Sequence, residues 1–188
     1  MTKIGMHMVI MLCLAYLVGA PADGLSAVPA DDGRPTFKVG DPLPDASLLG
    51  SDGTPVRLVQ ANRRVRLISI VPQLNTPVCD AQTHHVSEQN SGLDRTVEIV
   101  TLSTNTWEDQ VAFARKAGIT NVTFLSDAPS HEFGRKSGLM LPHYKILHRS
   151  VIVVDRENIV RHFQLVPMGE LPDFESAYAA ARRVAAAP

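Results

Sequence analysis

The chain has 188 residues, 45% hydrophobic and 20% charged, with 12 glycines and 13 prolines; this is a foldable composition about one domain long, neither disordered nor collagen-like. Lysine plus arginine number 18 against 19 aspartate plus glutamate, and no basic block supplies the stripe that phosphate-backbone binding needs, which argues against nucleic acid as a partner. Two cysteines, Cys13 and Cys79, exclude a multi-disulfide framework and a Cys-rich zinc site.

The N-terminus runs from Lys3 through an apolar stretch, Met6 to Val18, broken only by His7, to the small residues Ala20-Pro21-Ala22. Basic, apolar and small residues in that order predict a signal peptide over 1–22, with a second cleavage position after Ala30. The apolar stretch is shorter than the about 20 residues of a spanning helix; an uncleaved anchor and a buried or disordered extension are the alternatives. Cys13 lies inside the signal, so its removal leaves Cys79 alone. The expected location is therefore exported, periplasmic or secreted. Residues 23–35, rich in Ala, Pro, Gly and Asp, read as a flexible leader, and 36–188 as the domain.

Between Phe37 and Leu58, short apolar pairs divided by Gly40-Asp41-Pro42, Pro44-Asp45 and Ser51-Asp52-Gly53 suit an extended segment and a hairpin. Val65 to Val71 is a β-branched run that suits an inner strand covered on both faces, ended by Pro72. From Val78 to about Asn90 the chain has few breakers, and Cys79, Gln82, Val86 and Gln89 recur at helical spacing on a thin apolar stripe. Val97 to Leu102 is a second inner strand, followed by helix-cap residues at Ser103 to Thr106. The helix Trp107 to Ala117 places Trp107, Val111 and Ala114 on one face and stops at Gly118. Val122 to Leu125 is a third strand, Ser130 to Lys136 a short helix, and Ser150 to Asp155 pairs through a turn with Ile159 to Val166, antiparallel. Asp173 to about Val184 is the terminal helix. This order predicts one α/β domain, a central mixed β-sheet flanked by helices. Neither GxxxxGK nor GxGxxG is present.

The segment Pro72-Gln73-Leu74-Asn75-Thr76-Pro77-Val78-Cys79 joins an inner strand to a helix. It sets Cys79 in or beside the first helical turn, where unpaired N–H groups and the positive end of the helix favour a thiolate. Thr76, three positions earlier, is placed to donate to the thiolate or hold a substrate oxygen, and Pro72 and Pro77 restrict the approach of the chain. An inert, buried small hydrophobe is the other reading of Cys79. Arg149 precedes the strand SVIVV. If that strand runs antiparallel to the inner ones, Arg149 reaches the side of Cys79, where a guanidinium stabilises a thiolate and a leaving oxygen; an unremarkable surface arginine is the alternative.

With Pro72, Thr76 and Cys79 in the order Pro-x-x-x-Thr-x-x-Cys, and Arg149 downstream, the chain resembles the peroxiredoxins, and within them the bacterial thiol peroxidase subfamily. The resemblance runs from about Phe37 to about Ala180, through TLSTNTWEDQVAFARKAG, NVTFLSDAPSHEFGRKSG and RSVIVVDRENIV. It implies a thioredoxin-like fold with an N-terminal β-hairpin extension, a homodimer, and a peroxidase acting on hydrogen peroxide and small alkyl hydroperoxides. Cys79 becomes a sulfenic acid, Thr76 and Arg149 align the peroxide, and Pro72 shields the sulfur. No metal or organic cofactor is implied, since the electrons come from thiols.

The pattern breaks at one place. The subfamily carries a resolving cysteine in a segment resembling Phe-Cys-Gly-x-x-Gly, and here Phe113-Ala114-Arg115-Lys116-Ala117-Gly118 puts alanine at that position. The chain is therefore expected to work through one cysteine, with an external thiol or a thioredoxin-like reductant as partner. A non-catalytic redox-sensing or binding protein of the same fold is the alternative; a thiol-disulfide oxidoreductase lacks its Cys-x-x-Cys. His84 and His85 read as surface residues, and His143 and His148 lack an acidic partner or a zinc-ligand run.

Overall fold

The computed structural model describes residues 34–59 and 64–187. The signal peptide with Cys13, and the leader up to position 33, lie outside the described residues. Among them, seven strands form one sheet. Its centre is β3 (Arg66–Ile70), β4 (Glu98–Ser103) and β5 (Thr123–Ser126), paired parallel. The run RLISI is buried at every position, which explains its lack of polar alternation: Ile68 and Ile70 face one hydrophobic cluster with Val100, Leu102, Leu125 and Ile152, while Leu67 faces another with Ile99, Val151 and Val153.

The expected hairpin is β1 (Ser47–Leu49) with β2 (Pro55–Arg57), and β1 joins the sheet antiparallel to β5. On the other side β8 (Ser150–Val154) runs antiparallel to β3, and β9 (Val160–Leu165) antiparallel to β8. Helix α1 (Pro77–Glu88) follows β3 and α2 (Trp107–Ala117) follows β4. Thr106 caps α2 by accepting from Asp109 N at 3.2 Å, and Gly118 ends it with φ +68°. The short α3 is Glu132–Ser137, and the terminal α4 is Phe174–Ala186, whose Ala177, Tyr178 and Ala181 pack with Val86 of α1 on the second cluster. A two-stranded ribbon, β6 (Met140–Leu141) with β7 (Ile146–Leu147), had no signature in the sequence because each strand is only two residues long.

The buried face of α2 differs from expectation, and that of α1 only at its last member. In α2 the buried residues are Gln110 and Phe113, while Trp107, Val111 and Ala114 are half-buried. Trp107 instead lies over the β1–β2 turn, where a Cβ on Gly53 (φ +76°) would meet its indole at 3.0 Å. In α1 Cys79, Gln82 and Val86 are buried as expected, joined by Thr83, and only Gln89, at the helix end, is exposed. Hydropathy misled in α2, because Gln110 is buried by its hydrogen bonds rather than by apolar character.

Candidate active site

The loop after β3 is tied to the end of β4. Val71 N donates to Leu102 O at 3.0 Å, Leu74 N to the buried Asn105 Oδ1 at 2.9 Å, and Thr104 Oγ1 to the carbonyl of buried Pro72 at 3.4 Å. The chain then enters α1 through Thr76, extended at φ −120°, ψ 147°, with Pro77 at the first helical position. Thr76 Oγ1 donates to Gln73 O at 3.1 Å and makes no cap on the helix. The expected donation from Thr76 to the sulfur is thus taken up by the turn. The first helical bond is Asp80 N to Thr76 O, 2.9 Å, so the Cys79 N–H lies ahead of the helical ladder, at the end where the backbone favours an anion.

Cys79 is 1% exposed and Arg149 2%. Because β8 is antiparallel to β3, with Ser150 opposite Ile70, Arg149 arrives at the carboxyl end of β3 beside the Pro72–Cys79 loop. Its Nη2 donates to Cys79 Sγ at 3.2 Å and its Nη1 to Gln82 Oε1. Gln82 Nε2 in turn donates to Ser69 Oγ at 2.8 Å and Ile70 O at 3.4 Å. Among the described residues no carboxylate pairs with this guanidinium, and its Nε has no hydrogen-bond partner. A buried cation requires an anion, and the thiolate of Cys79 is the group positioned to be one.

The structure therefore brings Cys79 and Arg149 into contact, with Pro72 buried and Thr76 half-buried in the connecting loop. Gln82 and Ser69 extend this network, Asn105 separately holds the loop at Leu74, and none of the three had a functional assignment from sequence. Gln82 did carry a signal, its position one turn after Cys79, but that spacing also fits an ordinary packing stripe.

His84 and His85 are not simple surface residues. His84 is half-buried, 2.7 Å from Glu88 and edge-on to Phe113. His85 lies against Phe174 with ring centroids 3.7 Å apart and stacks on Tyr178; burial pushes its pKa down. Ala114 packs against the small cluster of Val71, Leu74, Cys79, Phe113, Ile119 and Phe124. Beside that cluster, α1 and α2 enclose an open groove of about 810 Å³ lined by Thr76, Pro77, Asp80, Asp109, Phe113 and Lys116 among others. No group of three or more His, Cys, Asp or Glu among the described residues is arranged to hold a metal.

Residues 38–180 match the family described as Redoxin. The thiol peroxidase of Halalkalibacterium halodurans is 36% identical over 146 residues, 77% of this chain and 87% of that protein. That of Streptococcus pneumoniae is 34% identical over 147 residues, 78% of this chain and 90% of its own length. Among solved structures, a peroxiredoxin-like protein from Aquifex aeolicus superposes with a TM-score of 0.73 at 29% identity, covering 81% of this chain and 90% of that one. A thiol peroxidase from Chromobacterium violaceum, 14% identical with a TM-score of 0.72 over 81% and 89% of the two chains, shares the fold.

Proposed function

The chain belongs to the Redoxin family and is a peroxiredoxin-type thiol peroxidase, and from that premise we propose that Cys79 alone carries its catalytic cycle. The thiolate attacks the outer oxygen of hydrogen peroxide or a small alkyl hydroperoxide. The O–O bond breaks, Cys79 becomes a sulfenic acid, and water or an alcohol leaves. Arg149 and the Cys79 N–H face the charge that develops on the departing oxygen, as preorganised donors in a water-poor site. Thr76 aligns the peroxide through the lone pairs of a hydroxyl whose proton is held by Gln73 O, and buried Pro72 screens the sulfur.

The observation that carries this reading is the buried Arg149 with Cys79 Sγ 3.2 Å away and no competing carboxylate among the described residues. With Ala114 at the resolving position and Cys79 the free cysteine of the described residues, the sulfenic acid is reduced by an external thiol or a thioredoxin-like protein. The test is the second-order rate of oxidation of the reduced protein by hydrogen peroxide, with Cys79→Ser as the blank. A rate orders of magnitude above that of a free thiol supports the reading; a rate no higher than free cysteine refutes it.

The same proposal takes the enzyme to be exported, periplasmic or secreted, on the strength of the order of residues from Lys3 to Ala22. It also takes the working unit to be a homodimer, the commonest closed assembly.

A further inference from the structure

Two hydrogen bonds at opposite ends of one peptide group tie the loop before Cys79 to the sheet. The peptide between Gln73 and Leu74 donates its N–H to Asn105 Oδ1 at 2.9 Å and accepts at its carbonyl from Thr76 Oγ1 at 3.1 Å. The group is planar and trans, so its N–H and C=O point in opposite directions and turn together. The bond to Asn105 is buried, whereas the one to Thr76 lies at the exposed side of the loop. Water competes for the exposed bond and not for the buried one, so the buried bond fixes where the plane rests. Leu74 itself is 0% exposed and packs in the cluster that holds Cys79.

Asn105 is held in turn by partners that leave its acceptor no freedom. An N–H partner at Leu74 requires the amide oxygen on that side, which sets the orientation of the side chain. The other acceptor position of Oδ1 is taken by the hydroxyl proton of Ser103 at 3.2 Å. Ser103 Oγ accepts from Asn105 N at 3.2 Å and from Gln110 Nε2 at 3.0 Å, which fills its remaining capacity. Gln110 gives its other N–H to Leu125 O at 2.9 Å, and Ser126 Oγ donates to Asn105 O at 2.6 Å. Ser103 and Ser126 are paired in register at the ends of β4 and β5. All four side chains are buried, so the acceptor that faces Leu74 is anchored to the rigid end of the sheet.

We propose that Asn105 is a positioning residue for the peroxide reaction, setting the direction of the Thr76 hydroxyl through the Gln73–Leu74 peptide; the proposal deepens the peroxidase reading and rests on it. With the Gln73 carbonyl held in place, the Thr76 proton is committed to it, and the oxygen lone pairs are left for the O–H of a peroxide. If the plane turns, the hydroxyl loses its acceptor, moves among rotamers, and no longer receives the peroxide in one orientation. Asn105 acts only through this peptide and Thr76.

The test is a double-mutant cycle on the second-order rate of oxidation by hydrogen peroxide, built from wild type, Asn105→Ala, Thr76→Val and the double variant. Asn105→Ala is expected to slow the wild type about tenfold and the Thr76→Val protein less than about twofold, because the hydroxyl it directs is then absent. Equal slowing in both backgrounds would mean that Asn105 only holds the loop together, and overturns the proposal. Ser103→Ala, which removes the proton that aligns Oδ1, takes the same place in the cycle if Asn105→Ala does not fold. The second readout needs no peroxide: the Thr76 rotamer in the reduced protein, from three-bond couplings and the methyl shift. One rotamer in wild type, averaging in Asn105→Ala, and one rotamer again in Asn105→Asp, which keeps an acceptor for Leu74 N, are expected. A Thr76 rotamer that stays fixed in folded Asn105→Ala overturns the proposal whatever the rates. A wild-type rate no higher than that of free cysteine instead removes the peroxidase reading, and the rotamer still decides whether Asn105 directs Thr76.

Discussion

Gln82, one helical turn after Cys79, accepts a hydrogen bond from Nη1 of Arg149 while Nη2 of the same guanidinium reaches Cys79 Sγ at 3.2 Å. The two-pronged arrangement fixes the plane of the guanidinium, and Ser69 fixes Gln82 in turn at 2.8 Å. Gln82 is a positioning residue that acts through Arg149. Gln82→Ala is expected to slow oxidation by peroxide about tenfold, as a buried donor aimed at the site loses its anchor. Gln82→Glu introduces a carboxylate that competes with Cys79 for the guanidinium, so its peroxide rate should fall below that of Gln82→Ala. Equal rates in Gln82→Glu and Gln82→Ala would reduce Gln82 to a packing role.

Arg149 supplies both charge and fork geometry. Arg149→Lys keeps the charge but cannot serve Gln82 and Cys79 in one plane, and a loss of about tenfold or more in the peroxide rate is expected. Arg149→Ala removes the donor, and a loss of about 10²–10³ is expected, the scale of deleting one preorganised charge-stabilising group. Stopped-flow fluorescence of Trp107 or competition against a reference peroxidase measures both variants. Rates within twofold of wild type would show that the contact at 3.2 Å plays no part in the reaction.

Ala114 stands on α2 against the cluster that contains Cys79. Ala114→Cys is expected to convert the sulfenic acid into an intramolecular disulfide after one equivalent of peroxide, seen by mass spectrometry as loss of two hydrogens. The wild type should instead accumulate a dimedone-reactive species and, with excess peroxide, sulfinic acid. A disulfide-free Ala114→Cys protein would mean that the two helices cannot approach.

Asp127 is buried between the end of β5 and the start of α3, where it accepts from Phe133 N at 2.9 Å and Gly134 N at 2.8 Å. Burial pushes its pKa up from 3.8 to about 6 despite these bonds. Between those values the folded protein holds a proton that the unfolded chain releases. The Asp127 contribution to stability is therefore full below about pH 4, falls as pH rises to about 6, and is lost above it, with a total change of about 2–3 kcal/mol. Urea unfolding across that range should show the difference between wild type and Asp127→Asn drifting with this sign. A flat difference would contradict it.

Export is open to a direct check. The mature protein recovered from its native compartment is expected to begin after Ala22 or Ala30, by N-terminal sequencing. An intact Met1 in a cytosolic fraction would exclude the signal reading. Light scattering of the same sample gives the mass of the assembly, twice that of the chain if the dimer forms.

Much of the architecture was legible because its determinants are local. VRLISIV and VEIVTL announce inner strands by β-branched runs without alternation, and both prove buried. Thr106 and Gly118 mark the ends of α2 by their own backbone preferences. The Thr76-x-x-Cys79 turn was readable for the same reason, since strand, proline and helix start follow one another within a few residues. The face of α2 was not, because a buried glutamine is stabilised by partners outside its own helix: Gln110 Nε2 donates to Ser103 Oγ at 3.0 Å and Leu125 O at 2.9 Å, contacts that no hydropathy pattern contains.

The sequence by itself offered Cys79 as the candidate reactive cysteine, the turn that carries it, alanine at position 114 where the resembled subfamily carries its resolving cysteine, and Arg149 as a partner conditional on an antiparallel strand. Only the tertiary structure decided that the condition is met, that the guanidinium is buried without a carboxylate among the described residues, and that Gln82 and Ser69 hold it. Those outcomes depend on the register of β8 against β3, which sets Ser150 opposite Ile70 across a long sequence separation. Spacing along a chain specifies which residues share an element; which elements meet, and which polar groups are thereby cut off from water and forced to pair, is settled by packing.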